Sequence, residues 1–143
     1  MKKLLLSIIL LPCLAQADFI NTKKVDEYGR PLYKGQTTLT GKVTVDEYEW
    51  GPSTCFNVDK KDAYKIPRPK GDERGPWFCF SNEKTANKIL KLPNTMKNGI
   101  CSYKAKATIT VKDYALFIEQ TAGVDETTLI SAKVITPYKA IKC

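Results

Sequence analysis

The stretch from Cys101 to Ile118 alternates apolar and polar side chains, and it is the strongest structural signal in the sequence. A period of two residues predicts a strand with one face on a core and the other in water. The inward set is Tyr103, Ala105, Ala107, Ile109 and Val111, and the outward set is Lys104, Lys106, Thr108, Thr110 and Lys112. The run is longer than most strands, so we expect it to bend or break near Asp113. Its small inward residues favour a tightly curved sheet.

The first 17 residues have the form of a secretory signal peptide. Lys2 and Lys3 precede the apolar run Leu4–Leu11, and Ala15 and Ala17 provide the small residues of a cleavage site. We therefore expect cleavage after Ala17 and a periplasmic or secreted product, because the run is too short to span a bilayer. The alternatives are a lipoprotein anchored through Cys13 and an N-terminal core helix.

The chain is basic, with 23 Lys and Arg residues against 15 Asp and Glu residues and a net charge of +8. It stays basic without Lys2 and Lys3. Such a surface favours acidic partners, among them an acidic protein surface or an anionic glycan. The basic residues are scattered over alternating segments and form no block, which argues against nucleic-acid binding.

Three strands, one helix and two further strands are predicted after an N-terminal extension at residues 18–36, which either adds an edge strand or stays loose. The predicted bounds are 37–45, 54–59 and 77–80 for the first strands, 81–92 for the helix, and 101–118 and 128–136 for the last strands. Gly41, inside the first strand, marks a bulge or a bend. Residues 37–143 thus form one domain.

The last strand is predicted to pair antiparallel with the long strand. Its inward residues are Ile130, Ala132 and Val134, and this assignment conflicts with a simple register unless a bulge intervenes, which we place at Pro137. The pairing brings Cys143 close to Cys101.

Four cysteines lie beyond the predicted signal peptide, and an even number in an exported chain predicts two disulfides. The strand order favours the pairs Cys55–Cys79 and Cys101–Cys143. A zinc site is the alternative, but the sequence has no Cys-x-x-Cys spacing and no histidine.

The element order resembles an OB-fold, a small five-stranded barrel whose helix lies between its third and fourth strands. The resemblance extends to exported bacterial OB-fold proteins, namely periplasmic OB-fold and immunity-type proteins, and more distantly to the B subunits of AB5 toxins. It implies a mainly β fold: a five-stranded OB-like barrel with one short helix and two disulfides. A small antiparallel sandwich and an α+β sheet with one helix are the competing architectures.

No catalytic motif is apparent, and without histidine the usual Ser-His-Asp and Cys-His arrangements cannot form. The paired carboxylates lie in predicted loops, where carboxylates are usually solvated. We therefore expect no enzyme activity, no cofactor and no metal.

Binding is the remaining class, and aromatic side chains beside cations suit either a protein hot spot or a sugar. In an OB-fold, ligands meet the second and third strands and neighbouring loops. The candidate residues there are Tyr48, Trp50, Tyr64, Lys65, Arg68, Lys70, Arg74, Trp77, Asp125 and Glu126. We expect an exported inhibitor or immunity-type protein that inserts the basic loop 60–76 into a protein partner. The alternatives are a glycan-binding subunit of a secreted oligomer and a scaffold component of a secretion or surface assembly.

Overall fold

The computed structural model describes residues 18–48, 51–92, 95–118 and 123–143. The predicted signal peptide at residues 1–17, with Cys13, and the candidate residue Trp50 lie outside this part of the chain. The described elements are β1 (Ile20–Val25), β2 (Pro31–Tyr48), β3 (Gly51–Val58), a 3₁₀ turn (Ala63–Lys65), β4 (Trp77–Phe80), α1 (Glu83–Ile89), β5 (Ile100–Ala115), β6 (Glu126–Val134) and β7 (Lys139–Lys142).

The long antiparallel pair of β2 and β5 is the centre of the fold, and it runs from Leu32 opposite Ala115 to Asp46 opposite Ser102. The predicted inward set of β5, from Tyr103 to Val111, is buried. Lys104, Lys106 and Lys112 on the other face are exposed. The prediction of a long, half-buried strand is therefore confirmed.

Five of the strands pair in a closed circuit, in the order β2, β3, β4, β6, β5 and back to β2. The circuit is uneven, because β4 and β6 join in parallel only through Cys79 opposite Glu126 and Phe80 opposite Thr127. β1 pairs with β2 outside the circuit, and β7 pairs with β5.

The prediction of five strands is wrong, since the described residues form seven. β7 was not predicted and β1 was only one of two alternatives, because both strands are short and their residues are mostly exposed. Backbone hydrogen bonds to a neighbouring strand hold them, so no alternation of apolar residues marks them in the sequence. Of the two alternatives for residues 18–36, the added edge strand is the one observed.

Two register shifts bend the β5–β6 ladder. One lies at Asp113, which has a φ of 52° and is skipped by the pairing; β5 does not break there, but the irregularity lies where a bend or break was predicted. The other lies at Ile130, which the ladder skips between Leu129 and Ser131. The bulge expected at Pro137 was therefore misplaced, and Ile130, assigned inward, is 39% exposed while Leu129 is buried in its place.

The helix α1 closes one end of the circuit by burying Ala86 and Leu90 in the main core. It begins at Glu83, two residues later than predicted, and the amide of Asn82 is used for a different contact. Asn82 Nδ2 donates to the Leu129 carbonyl at 2.9 Å, and its Oδ1 accepts from the Leu129 N–H at 3.0 Å. This pair of hydrogen bonds fixes the start of the helix to β6.

Both predicted disulfides are present. Cys55 lies directly opposite Cys79 on β3 and β4 and is bonded to it. Cys101 is bonded to Cys143, so that the bond ties the residue after β7 to the beginning of β5. β7, and not β6, thus brings these two cysteines together. Within the described ranges, no helix has the length and apolar character needed to cross a bilayer.

Candidate functional site

The basic loop 60–76 folds back on itself through Asp72. Arg68 Nη1 lies 3.1 Å from Asp72 Oδ2, and Arg74 Nη2 lies 2.7 Å from the same oxygen. Hydrogen bonds from Arg74 and Arg68 hold the pKa of Asp72 well below its usual range. Arg68 also donates to the Gly75 carbonyl. These two candidate cations are therefore engaged within their own loop.

The candidate Asp125 carboxylate lies inside the protein, where its side chain is 1% exposed. It accepts hydrogen bonds from the Tyr114 hydroxyl at 2.7 Å and from the Phe117 N–H at 2.8 Å. Arg74 Nη1 lies 3.5 Å and Arg68 Nη1 3.9 Å from its oxygens. Burial, and then the charge of Asp125, raises the pKa of Tyr114. Asp125 thus clamps the loop 60–76 to the body of the fold.

The candidate Lys65 belongs to a second clamp, on the edge of β2. Its Nζ lies 2.8 Å from Asp62 Oδ1 and donates to the Thr38 carbonyl at 3.2 Å. Asp62 Oδ2 in turn accepts from the Thr40 N–H at 2.8 Å. Burial acts to raise the pKa of Asp62, but the hydrogen bonds from Lys65 and Thr40 outweigh it and keep that pKa below its ordinary value.

The other described candidates are on the surface, but they belong to different elements. Tyr48 ends β2, Trp77 begins β4, and Lys70 lies in the loop; all three are exposed. Glu126 Oε2 is 3.0 Å from Arg30 Nη1. Tyr64 is 81% exposed and lines a cavity of about 290 Å³ together with Lys65, Asp18, Phe19, Tyr33, Ile66 and Pro67.

A second cavity, of about 490 Å³, lies on the outer face of β5 and is surrounded by lysines. Lys42 of β2 lies directly opposite Lys106 of β5, and Lys104 of β5 lies directly opposite Lys139 of β7. We call this cavity the four-lysine groove. Its lining consists of Lys42, Lys104, Ala105, Lys106, Thr136, Pro137, Lys139 and Ile141.

The lysines of the groove are poorly neutralised. Lys106 Nζ lies 3.8 Å from Asp59 Oδ2. Throughout the described ranges, no carboxylate forms an ion pair with Lys42, Lys104 or Lys139. Like charges directly opposite each other on neighbouring strands destabilise a sheet. Among the described residues, the groove is therefore a concentrated positive site whose charge Asp59 compensates only in part.

The wall of the groove is fixed by backbone contacts. The N–H of Lys106 donates to Thr136 Oγ1 at 2.8 Å, and its carbonyl accepts from the Ile135 N–H at 2.7 Å. The connection between β6 and β7 is thus held against β5, which places Pro137 beside the lysines. The backbone of this wall is therefore already in place before a ligand binds.

Sequence reasoning identified Lys104 and Lys106 as an outward row but did not assign them to a site. One signal in the sequence could have indicated the site, because Lys42 is also predicted to point outward from a second strand with alternating apolar residues. Lys139 could not be placed, because β7 was not predicted and its pairing with β5 has no pattern in the sequence.

Among the described residues, no group of three or more histidine, cysteine or acidic side chains lies together as metal ligands do. Comparisons with protein-family models, curated proteins and solved structures find no match for this chain. The geometry of its surface is therefore the basis for a functional assignment.

Proposed function

We propose that this chain is an exported, non-enzymatic binding protein that acts as an inhibitor or immunity-type protein, capturing an acidic protein partner. The single observation that carries this proposal is the four-lysine groove, with its two like-charged pairs, in which Asp59 is the one carboxylate of the described residues that forms an ion pair. Complementary charge across an interface speeds encounter and selects the partner.

Export is supported by the two disulfides, because such bonds persist in oxidising compartments. The N-terminal sequence supports it independently through its basic start, apolar run and small-residue cleavage site. An OB-like architecture is supported by the five-strand circuit with α1 between its third and fourth strands in chain order. In this reading β1 and β7 are additions, and β7 contributes a wall of the groove.

The clamped loop 60–76 supports partner occlusion. Its conformation is fixed by Asp72, Asp125 and Asp62, so it can enter a cleft of the partner with little loss of entropy. Tyr64 and Lys70 remain exposed on it. We assign this loop an auxiliary contact and the groove the steering and anchoring contact.

The test is capture of a partner by the exported, disulfide-bonded protein from periplasmic and culture-medium extracts, read by mass spectrometry. The groove variant carries Lys42→Gln, Lys104→Gln, Lys106→Gln and Lys139→Gln. The control variant carries the same change of charge at four exposed lysines outside both the groove and the loop 60–76, Lys24, Lys84, Lys88 and Lys97.

We expect one stoichiometric protein that the native and control forms retain and the groove variant loses. Its binding should weaken as salt is raised from low to physiological concentration, because salt screens exposed charges. Equal capture by the native form and the groove variant would overturn the proposal.

A glycan-binding role is the second candidate, and the cavity beside Tyr64 is the observation that favours it. Asp62 and Lys65, close to Tyr64 along the chain, are held by a hydrogen bond and an ion pair, so the backbone that carries the exposed ring is fixed. Aromatic rings presented in this way stack on sugars. Binding to a glycan array that Tyr64→Ala abolishes would support this role, and an array without hits would remove it.

A further inference from the structure

We infer that the four-lysine groove receives one extended acidic segment of the partner, with carboxylates at every second residue. The inference rests on the proposed function and adds the chemistry and the conformation of the bound segment. It follows from how the four lysines are arranged on three neighbouring strands.

The four lysines form two pairs. Lys42 and Lys106 are opposite each other on β2 and β5, and Lys104 and Lys139 are opposite each other on β5 and β7. Neighbouring strands are about 5 Å apart, and residues two apart along a strand are separated by roughly 7 Å. The pairs are therefore stepped along β5 by the repeat distance of one face of an extended chain.

An extended peptide lying along β5 has the same repeat of roughly 7 Å between side chains on one face. If residues i and i+2 of that peptide are acidic, one carboxylate meets Lys42 and Lys106 and the other meets Lys104 and Lys139. Each carboxylate has two oxygens and can accept from two ammonium groups, so every lysine of the groove gains a charged partner.

Asp59 already provides part of the negative charge that the acidic peptide would supply, because its carboxylate lies 3.8 Å from Lys106 Nζ. It lies beside Lys106 of the first lysine pair, where it would compete with an incoming anion. Replacing it with asparagine removes the competing charge and keeps the shape of the side chain. Asp59→Asn should therefore bind the acidic segment more tightly than the native protein.

The experiment is calorimetric titration of the exported, disulfide-bonded protein at low ionic strength with two blocked octapeptides. One has the sequence Glu-Thr-Glu-Thr-Glu-Thr-Glu-Thr, and the other has Glu-Glu-Thr-Thr-Glu-Glu-Thr-Thr. Both have the same composition and charge, but only the first has carboxylates at i and i+2. A sulfated oligosaccharide of similar charge is the third probe.

We expect the alternating peptide to bind roughly fivefold more tightly than its isomer, which corresponds to about one well-placed charge pair. The preference should disappear in Lys104→Gln with Lys106→Gln, and Asp59→Asn should strengthen binding of the alternating peptide. Equal affinities for the two peptides, or binding of the oligosaccharide alone, would refute the inference.

The two proposals fail in different ways. If the captured partner depends on the groove but the protein does not distinguish the two peptides, the extended acidic segment is wrong and the proposed function stands. If the groove variant captures the partner as well as the native form does, the proposed function is wrong, whichever peptide binds more tightly.

Discussion

The hydroxyl of Tyr114 reaches Asp125 at the point where the loop 60–76 meets the core. Tyr114→Phe removes this hydrogen bond to a buried carboxylate and leaves the ring in place. We expect the free energy of unfolding to fall by about 2 kcal/mol, the usual range for a hydrogen bond to a charged group. Urea denaturation at neutral pH measures it, and an unchanged midpoint would contradict the clamp.

The same residue predicts a loss of stability at alkaline pH. Burial and Asp125 raise the pKa of Tyr114 above its ordinary value of 10.0, so its contribution to stability is complete below pH 10 and declines as the pH rises further. Other groups titrate there too, since burial raises the pKa of Tyr138 to about 12. The informative quantity is therefore the difference in unfolding free energy between native protein and Tyr114→Phe, which should shrink above pH 10.

At the scale of single residues, the sequence identified the charged side chains but not the groups that they contact. Arg68 and Arg74, which were predicted to contact a partner, form ion pairs with Asp72 and the buried Asp125; their role toward a partner stays a prediction. Asp72 was a visible signal, because it lies within four residues of both arginines. Asp125 was not, because only the fold brings it beneath the loop.

At Gly41 the backbone of β2 lies close against β3. A Cβ at this position would overlap the backbone carbonyl of Asn57 and lie 2.8 Å from the ring of Phe56. Gly41→Ala should therefore lower the free energy of unfolding by about 3 kcal/mol or more, because backbone cannot move aside as a flexible side chain can.

Gly75→Ala is the matched control for this substitution. Its Cβ would meet only the Trp77 ring, at 3.9 Å, which is an ordinary contact. Thermal unfolding of both variants checks the prediction. If the two substitutions cost the same, the close approach of β2 and β3 at Gly41 is not as described.

The Cys101–Cys143 bond acts on an element of the groove, because it anchors the end of β7. Replacing both cysteines with serine should cost about 3–4 kcal/mol of stability. It should also weaken partner capture, since Lys139 is then no longer held opposite Lys104. Replacing Cys55 and Cys79 is the control, which should destabilise the fold and spare capture at a temperature where both variants are folded. Equal loss of capture in the two variants would contradict this role of β7.

Strands were predicted correctly where apolar residues alternate clearly along the sequence. Strands that are held mainly by backbone hydrogen bonds to a neighbour were missed or predicted only as one of two alternatives. The strand at Trp77–Phe80 was predicted with its observed bounds, and β5 within a few residues. In β6 the bulge at Ile130 moves the buried set from Ile130 to Leu129. A sequence pattern cannot reveal such a shift, because one skipped residue exchanges the two faces of the strand.

The molecule as a whole carries a net charge of +8, and the groove concentrates four of its lysines. Because two lysine pairs face each other across strands, the groove variant should be more stable than the native protein by about 1 kcal/mol at low salt. The gain should shrink as salt is added. Urea denaturation checks this, and a less stable groove variant would indicate that the lysines support the fold and are not kept for binding.

The most direct measurement is light-induced crosslinking in cells that export the protein, with a photoreactive residue in place of Pro137 in the groove. The control places the same residue at Lys24, which is exposed on β1, outside the groove. The proposal predicts that Pro137 gives an adduct with one protein, that the adduct maps to an acidic segment, and that Lys24 gives none. Absence of a protein adduct at Pro137, or the same adduct from both positions, would contradict partner capture by the four-lysine groove.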